Sequence, residues 1–193
     1  MEDDGSPNAE PPSPGDLRCA LAIEIIDERR ALGGAKCAWI ESAAAAALGP
    51  VALAGGGVRV RIVDDAEMAA AHERWSGVAG TTDVLTFDLR EGGEGGEGGE
   101  GGEGALDVDI LVCVDEARRQ ASARGLAPEY EVLLYVVHGV LHCLGHDDHD
   151  EAAAASMHAE EDRLLGAAGV GPVYSVAARG AAGGPETLQE PGR

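Results

Sequence analysis

At 193 residues the chain is long enough for one domain with a substantial hydrophobic core and short for two. It carries 35 Asp and Glu against 14 Lys and Arg, a net charge of -21, which excludes a protein that holds nucleic acid on a broad basic surface. Residues 1–16 and 91–104 each hold five acids and no base, and taking those ten charges away leaves -11, so a polyanionic ligand must be met by local cations or by a metal.

Residues 1–17 are rich in Pro, Gly, Ser and acids and lack periodicity, which predicts a disordered acidic arm ahead of a domain over 18–165. Residues 19–27 are enriched in β-branched side chains and read as a strand. Ala35 to Leu48, alanine-rich with Trp39 and Ile40 on its apolar side, reads as a helix. Val58 to Val63 alternates as a strand with one exposed face, and Asp64 or Asp65 caps a helix running to about Trp75. Thr81 to Phe87 is a short β-rich segment. The Glu-Gly-Gly repeats of 91–104 read as a flexible surface insertion between two strands.

Leu106 to Val114 is the next strand, with its apolar positions on one face and Asp107 and Asp109 on the other. A helix from Asp115 to about Arg124 follows. Pro128, with Glu129 and Glu131 in the first turn, then opens a helix whose residues from Val132 to Leu144 are almost all apolar, so it is buried on most sides. Glu151 to Leu165 is the last helix, and 166–193 is expected to be a flexible tail. The fold class is α+β: a small mixed sheet of about four strands packed with helices. Cys19, Cys37, Cys113 and Cys143 form no C-x-x-C pair and read as reduced, buried side chains. No leader-like segment opens the chain, and no apolar run approaches the roughly 20 residues that span a bilayer, so the expectation is a cytoplasmic protein without a membrane part.

The anomaly is inside the buried helix. Five of the six histidines lie between positions 138 and 158. His138 and His142 stand at i and i+4, on one helix face, and Gly145 then breaks the helix ahead of His146, Asp147, Asp148 and His149. Two imidazoles in an apolar wall followed by a loop of nitrogen and oxygen donors point to zinc or a related metal. Gly139 between them costs about 1 kcal/mol relative to Ala in a helix, which points to close approach of another backbone.

The run His138-Gly-Val-Leu-His142-Cys-Leu-Gly145-His-Asp-Asp-His149 resembles the H-G-x-L-H-L-x-G-Y-D-H motif of the YbeY family of metal-dependent endoribonucleases. Two upstream segments resemble that family in the same order: Thr82-Asp-Val-Leu-Thr-Phe87 its T-[ND]-V-L-S-F, and Asp107-Val-Asp109-Ile-Leu-Val its L-G-D-I-V-I. The resemblance covers about residues 19–165. It implies cleavage of single-stranded RNA in maturation of the 3′ end of small-subunit (16S) rRNA and in ribosome quality control, with an rRNA precursor and the ribosomal subunit or its associated proteins as partners. It also implies one zinc ion on His138, His142 and a third ligand. The family's third histidine aligns with Asp148, with His149 one residue later; His149 is preferred, Asp148 is the alternative.

The catalytic set expected from these residues is His138, His142, Asp148 and Arg74. Arg74 stands nearest to the position where the family carries a basic residue and this chain carries Ser76. Arg59 and Arg61 are further candidates for contacts to the RNA backbone, and Asp147 or Asp148 for orienting a ligand or accepting a proton. Two rivals follow from the same histidines. A metalloprotease needs a carboxylate directly after the first histidine, where this chain has Gly139. A non-enzymatic, metal-stabilised ribosome-associated module would close the metal site with a fourth protein ligand.

Overall fold

The computed structural model describes residues 20–91 and 104–174; the expected N-terminal arm, nearly all of the Glu-Gly-Gly insertion and the end of the chain after Tyr174 lie outside the described residues. Four strands and five helices follow one another as β1 (Leu21–Ile26), α1 (Gly34–Leu48), β2 (Gly56–Val63), α2 (Asp65–Ser76), β3 (Val84–Asp88), β4 (Leu106–Cys113), α3 (Val114–Arg124), α4 (Pro128–Cys143) and α5 (Glu151–Ala167).

The sheet order is β1-β2-β4-β3. β1, β2 and β4 run parallel, with Val58 opposite Ile23 and Val108, while β3 returns antiparallel along β4 with Thr86 opposite Ile110. Mixed pairing follows from the connections. A helix carries the chain between parallel neighbours β1 and β2, whereas β3 and β4 form a hairpin, which needs no crossover.

Local chemistry sets the helix ends. Asp27 accepts the backbone N–H groups of Ala31 (2.8 Å), Leu32 (2.9 Å) and Gly33 (3.1 Å), which shapes the entry into α1. Asp64 accepts Glu67 N–H at 2.9 Å at the start of α2, and Asp150 accepts Ala153 N–H at 2.8 Å at the start of α5, as helix-capping acids do. Pro128 occupies the first turn of α4, where a missing N–H is harmless.

α4 is the hub. It packs against α1, α3, α5 and the β3–β4 edge of the sheet, and its Val132, Leu133, Val136, Val137, Val140 and Leu141 are wholly buried. Those side chains meet Ile40, Ala44 and Leu48 of α1, Val60, Val108 and Ile110 of the sheet, and Met157, Leu164 and Leu165 of α5. Apolar burial on this scale stabilises the domain at about 25 cal/mol per Å², and it sets the two histidines of α4 on the helix at the centre of the core. Cys37, Cys113 and Cys143 are buried free thiols. The body also reaches beyond residue 165: α5 runs to Ala167, and Val173 is 4% exposed. None of the described helices is long and apolar enough to cross a membrane.

Candidate metal centre

Two helical turns of α4 bring the imidazoles of His138 and His142 together, with their Nε2 atoms 3.1 Å apart. The other nitrogen of each ring is committed. His138 Nδ1 donates to Glu161 Oε1 at 2.7 Å, and His142 Nδ1 donates to the backbone carbonyl of His146 at 3.1 Å. With both protons held at Nδ1, the Nε2 lone pairs face one another, a contact that only a proton or a cation between them relieves. Asp148 completes the triangle. Its Oδ2 lies 3.8 Å from His138 Nε2 and its Oδ1 lies 3.8 Å from His142 Nε2. Two neutral imidazoles and one carboxylate are a donor set that suits zinc and leaves a coordination position open, so the residues present fit a metal.

The loop that returns Asp148 starts at Gly145, whose φ of 88° lies in the left-handed region that glycine enters without strain. His146 N–H bonds back to Leu141 O at 3.0 Å, so the first step of the loop doubles back on the helix end. Asp147 Oδ1 then accepts the N–H groups of Asp148 (2.8 Å) and His149 (3.2 Å), a tight turn built on its own side chain. That turn sends the two next side chains in different directions. Asp148 faces the imidazoles, while His149 is 56% exposed and stands 3.6 Å from Asp147. The structure therefore gathers His138, His142 and Asp148, and places the preferred candidate, His149, in a second group with Asp147 that shares only the half-buried Asp148 with the first.

Behind the two imidazoles, Glu161 is the group that the sequence reading missed. It is 1% exposed, on α5, and its second oxygen accepts from His158 Nδ1 at 2.9 Å. A buried carboxylate between two imidazoles fixes both rings and raises the basicity of the ligand. Burial lowers the pKa of His138, but the hydrogen bond and charge of Glu161, with Asp148 beside it, outweigh that and hold it above the ordinary value of 6.5. A signal was available: Met157, Glu161, Leu164 and Leu165 form one helical stripe, and Glu161 is the acid in the apolar row.

On the α3 side, His138 opens onto a cleft of about 450 Å³ lined by Thr81, Thr82, Asp83, Arg124, His158, Glu161 and Tyr174, among others. Arg74 is not among the lining residues; it is exposed on α2, 5.2 Å from the ring of Trp75. Arg59 lies on the sheet, paired with Asp107 (2.8 Å) and Asp109 (2.6 Å), and Arg61 pairs with Glu28 at 3.6 Å. The cation of the cleft is Arg124.

Gly139 also has its explanation here, and it differs from the expected backbone approach. A Cβ at this position would overlap Oγ1 of Thr86 on β3 and press on Cδ1 of Ile110 at 3.3 Å. The neighbour is a pair of side chains. No carboxylate fits after His138, so the proton acceptor of a metalloprotease has no place in this site.

The sequence profile described as Endoribonuclease YbeY matches residues 35–169. A protein of that name from Acidothermus cellulolyticus is 40% identical over 109 residues, 55% of this chain and 66% of the relative. One from Mycobacterium ulcerans is 38% identical over 107 residues, 54% of this chain and 59% of the relative, so the matched stretch is somewhat under two thirds of these proteins' own length. The solution structure of TM1509 from Thermotoga maritima superposes with a TM-score of 0.48 at 20% identity, over 86% of this chain and 99% of that one. The profile match takes in α1, the whole sheet from β2 onward, α4 and the loop that carries Asp148, and on that match the chain belongs to the YbeY family.

Proposed function

We propose that this protein is a metal-dependent endoribonuclease that cuts single-stranded RNA, acting in the cytoplasm on the 3′ end of the small-subunit rRNA precursor and in ribosome quality control, with a ribosomal subunit or its associated proteins as partner. The observation that carries this reading is the meeting of the two Nε2 lone pairs of α4 with the carboxylate of the following loop, at a site where the residue after His138 is Gly139 and cannot serve a protease. His138, His142 and Asp148 would hold one zinc ion. When bound, zinc lowers the pKa of a coordinated water toward about 7 and withdraws charge from a phosphoryl oxygen.

The chain's own residues supply the rest. Glu161 keeps the proton of His138 on Nδ1 and the His146 carbonyl keeps that of His142 on Nδ1, so both rings offer Nε2 without rearrangement. The apolar wall of α4 keeps bulk water away from one side of the centre, while the cleft beside His138 admits a strand from the other. Three protein ligands leave the site open, as catalysis requires; the closed, four-ligand site of a structural module would need His149 to turn inward from its place beside Asp147.

The test is His138→Ala, with metal content and cleavage of a single-stranded oligoribonucleotide measured on the same preparation. Loss of bound zinc and of cleavage together is the expected result. A metal-free His138→Ala protein that cuts RNA at the wild-type rate would sink the proposal.

A further inference from the structure

The cleft beside His138 carries a surface that the metal chemistry does not use. α5 and the segment after it place the rings of His158 and Tyr174 one on the other, with centroids 3.6 Å apart and planes 11° from parallel. Both members are held. His158 Nδ1 donates to the buried Glu161 at 2.9 Å, and the Tyr174 backbone N–H donates to Asp162 Oδ1 at 2.9 Å, next to the buried Val173. Neither ring is sealed in the core: both are half-buried and line the cleft. Arg124 is the one lysine or arginine among the described residues that line it. Its Nη1 donates to both oxygens of the wholly buried Glu131, at 3.0 and 2.8 Å, which orients the guanidinium and leaves its side chain 23% exposed.

A fixed, parallel aromatic pair beside an oriented cation is the chemistry that receives a nucleotide. We propose that this cleft is a base subsite next to the scissile bond: a base of the RNA strand stacks on the His158–Tyr174 pair, and Arg124 meets the adjoining phosphate. This rests on the endoribonuclease reading above. It also answers how a chain of net charge -21 holds a polyanion. Stacking on aromatic rings adds binding that does not itself depend on charge, and it selects unpaired bases, since a base inside a duplex offers no free face.

The experiment uses the full-length, zinc-loaded protein and a 2′-O-methylated, uncleavable single strand carrying 2-aminopurine, whose fluorescence falls when the base stacks. Wild-type protein is expected to quench the probe. Tyr174→Ala is expected to bind about tenfold more weakly without quenching, at unchanged zinc content, and Tyr174→Phe to restore both. His158→Phe, which keeps a ring but not the bond to Glu161, provides a second variant and is expected to quench. A zinc-replete Tyr174→Ala protein that binds and quenches like wild type overturns the subsite. The two readings separate cleanly: wild-type protein that quenches this probe but leaves cleavable RNA intact upholds the subsite and removes the nuclease. Wild-type protein that cuts RNA without ever quenching the probe removes the subsite alone.

Discussion

Asp148 and His149 are neighbours in the chain, yet only one of them faces the imidazoles. The Asp147 turn decides which, by accepting the N–H groups of both residues and so fixing their φ and ψ. Asp148→Ala is therefore expected to weaken zinc binding by more than about tenfold, the least that losing a contact near a metal costs, while His149→Ala leaves it unchanged. Competition with a chromophoric chelator reads both, and the reverse order would return the third place to His149. The histidine pair was legible in the sequence because a spacing of four on a helix is a geometric fact. Which of Asp148 and His149 faces the pair was left open between the two, since the path of a loop after a positive-φ glycine depends on side-chain bonds that spacing does not reveal. The apolar stripe of α5 marked Glu161 as a buried acid but not its partner: it reaches His138, 23 residues earlier, only because α5 packs against α4, and His158 and Tyr174 come to the site the same way.

At the scale of elements, α4 and β3 meet where there is no room for a methyl group. Gly139→Ala gains helix propensity of about 1 kcal/mol, but the overlap with Thr86 Oγ1 is expected to outweigh it and destabilise by about 1–3 kcal/mol, as overpacked cores do. Adding Thr86→Ala removes the overlapping oxygen, so the double variant is expected to be more stable in urea than Gly139→Ala alone; strict additivity would show that the contact is not the cause. The entry to α1 offers a second case. Burial raises the pKa of Asp27, but N–H groups of Leu32, Ala31 and Gly33 outweigh it and hold the carboxyl below its ordinary value of 3.8. A carboxyl depressed on folding stabilises above its unfolded pKa and ceases to do so as pH falls through the folded one. Asp27→Ala is thus expected to cost about 1–2 kcal/mol at neutral pH, with the gap to wild type closing as pH drops below 3.8; a gap that widens in acid would refute this. All nine elements were legible from periodicity and caps, because each is long or sharply bounded. The order β1-β2-β4-β3 was not, because it depends on which strand β3 joins after α2 has carried the chain away from the sheet.

At the scale of the whole molecule, one buried ion pair joins the sheet edge to the metal loop. Arg90 binds Asp88 through two bonds, at 2.9 and 2.5 Å, with both side chains 6% exposed, and its Nη2 also donates to the carbonyl of Cys143 at the end of α4. Arg90 thus fastens β3 to the point where the chain turns toward Asp148. Arg90→Ala would strand a buried carboxylate, and a loss of about 3–5 kcal/mol is expected, together with weaker zinc binding as the loop loosens. Arg90→Lys cannot reproduce the fork and is expected to recover little of either. Urea midpoints and a zinc titration on the same variants test the pair; normal zinc affinity in a destabilised Arg90→Ala protein would confine its role to stability.

The same hairpin has a consequence for how the gene can change. β3 and β4 are antiparallel neighbours, with the pairing carried one residue past β3 by the Leu89 N–H to Asp107 carbonyl bond at 2.8 Å, and the Glu-Gly-Gly repeats lie between them in the sequence. A connection whose two ends are already fixed side by side pays for extra length only logarithmically, about 0.6 kcal/mol for each doubling. Adding or removing one Glu-Gly-Gly repeat there is therefore expected to leave the β3–β4 register, α4 and the loop that carries Asp148 unchanged. A fluorophore or an affinity tag placed between these two fixed strand ends is therefore expected to be tolerated, with an unchanged urea midpoint as the check.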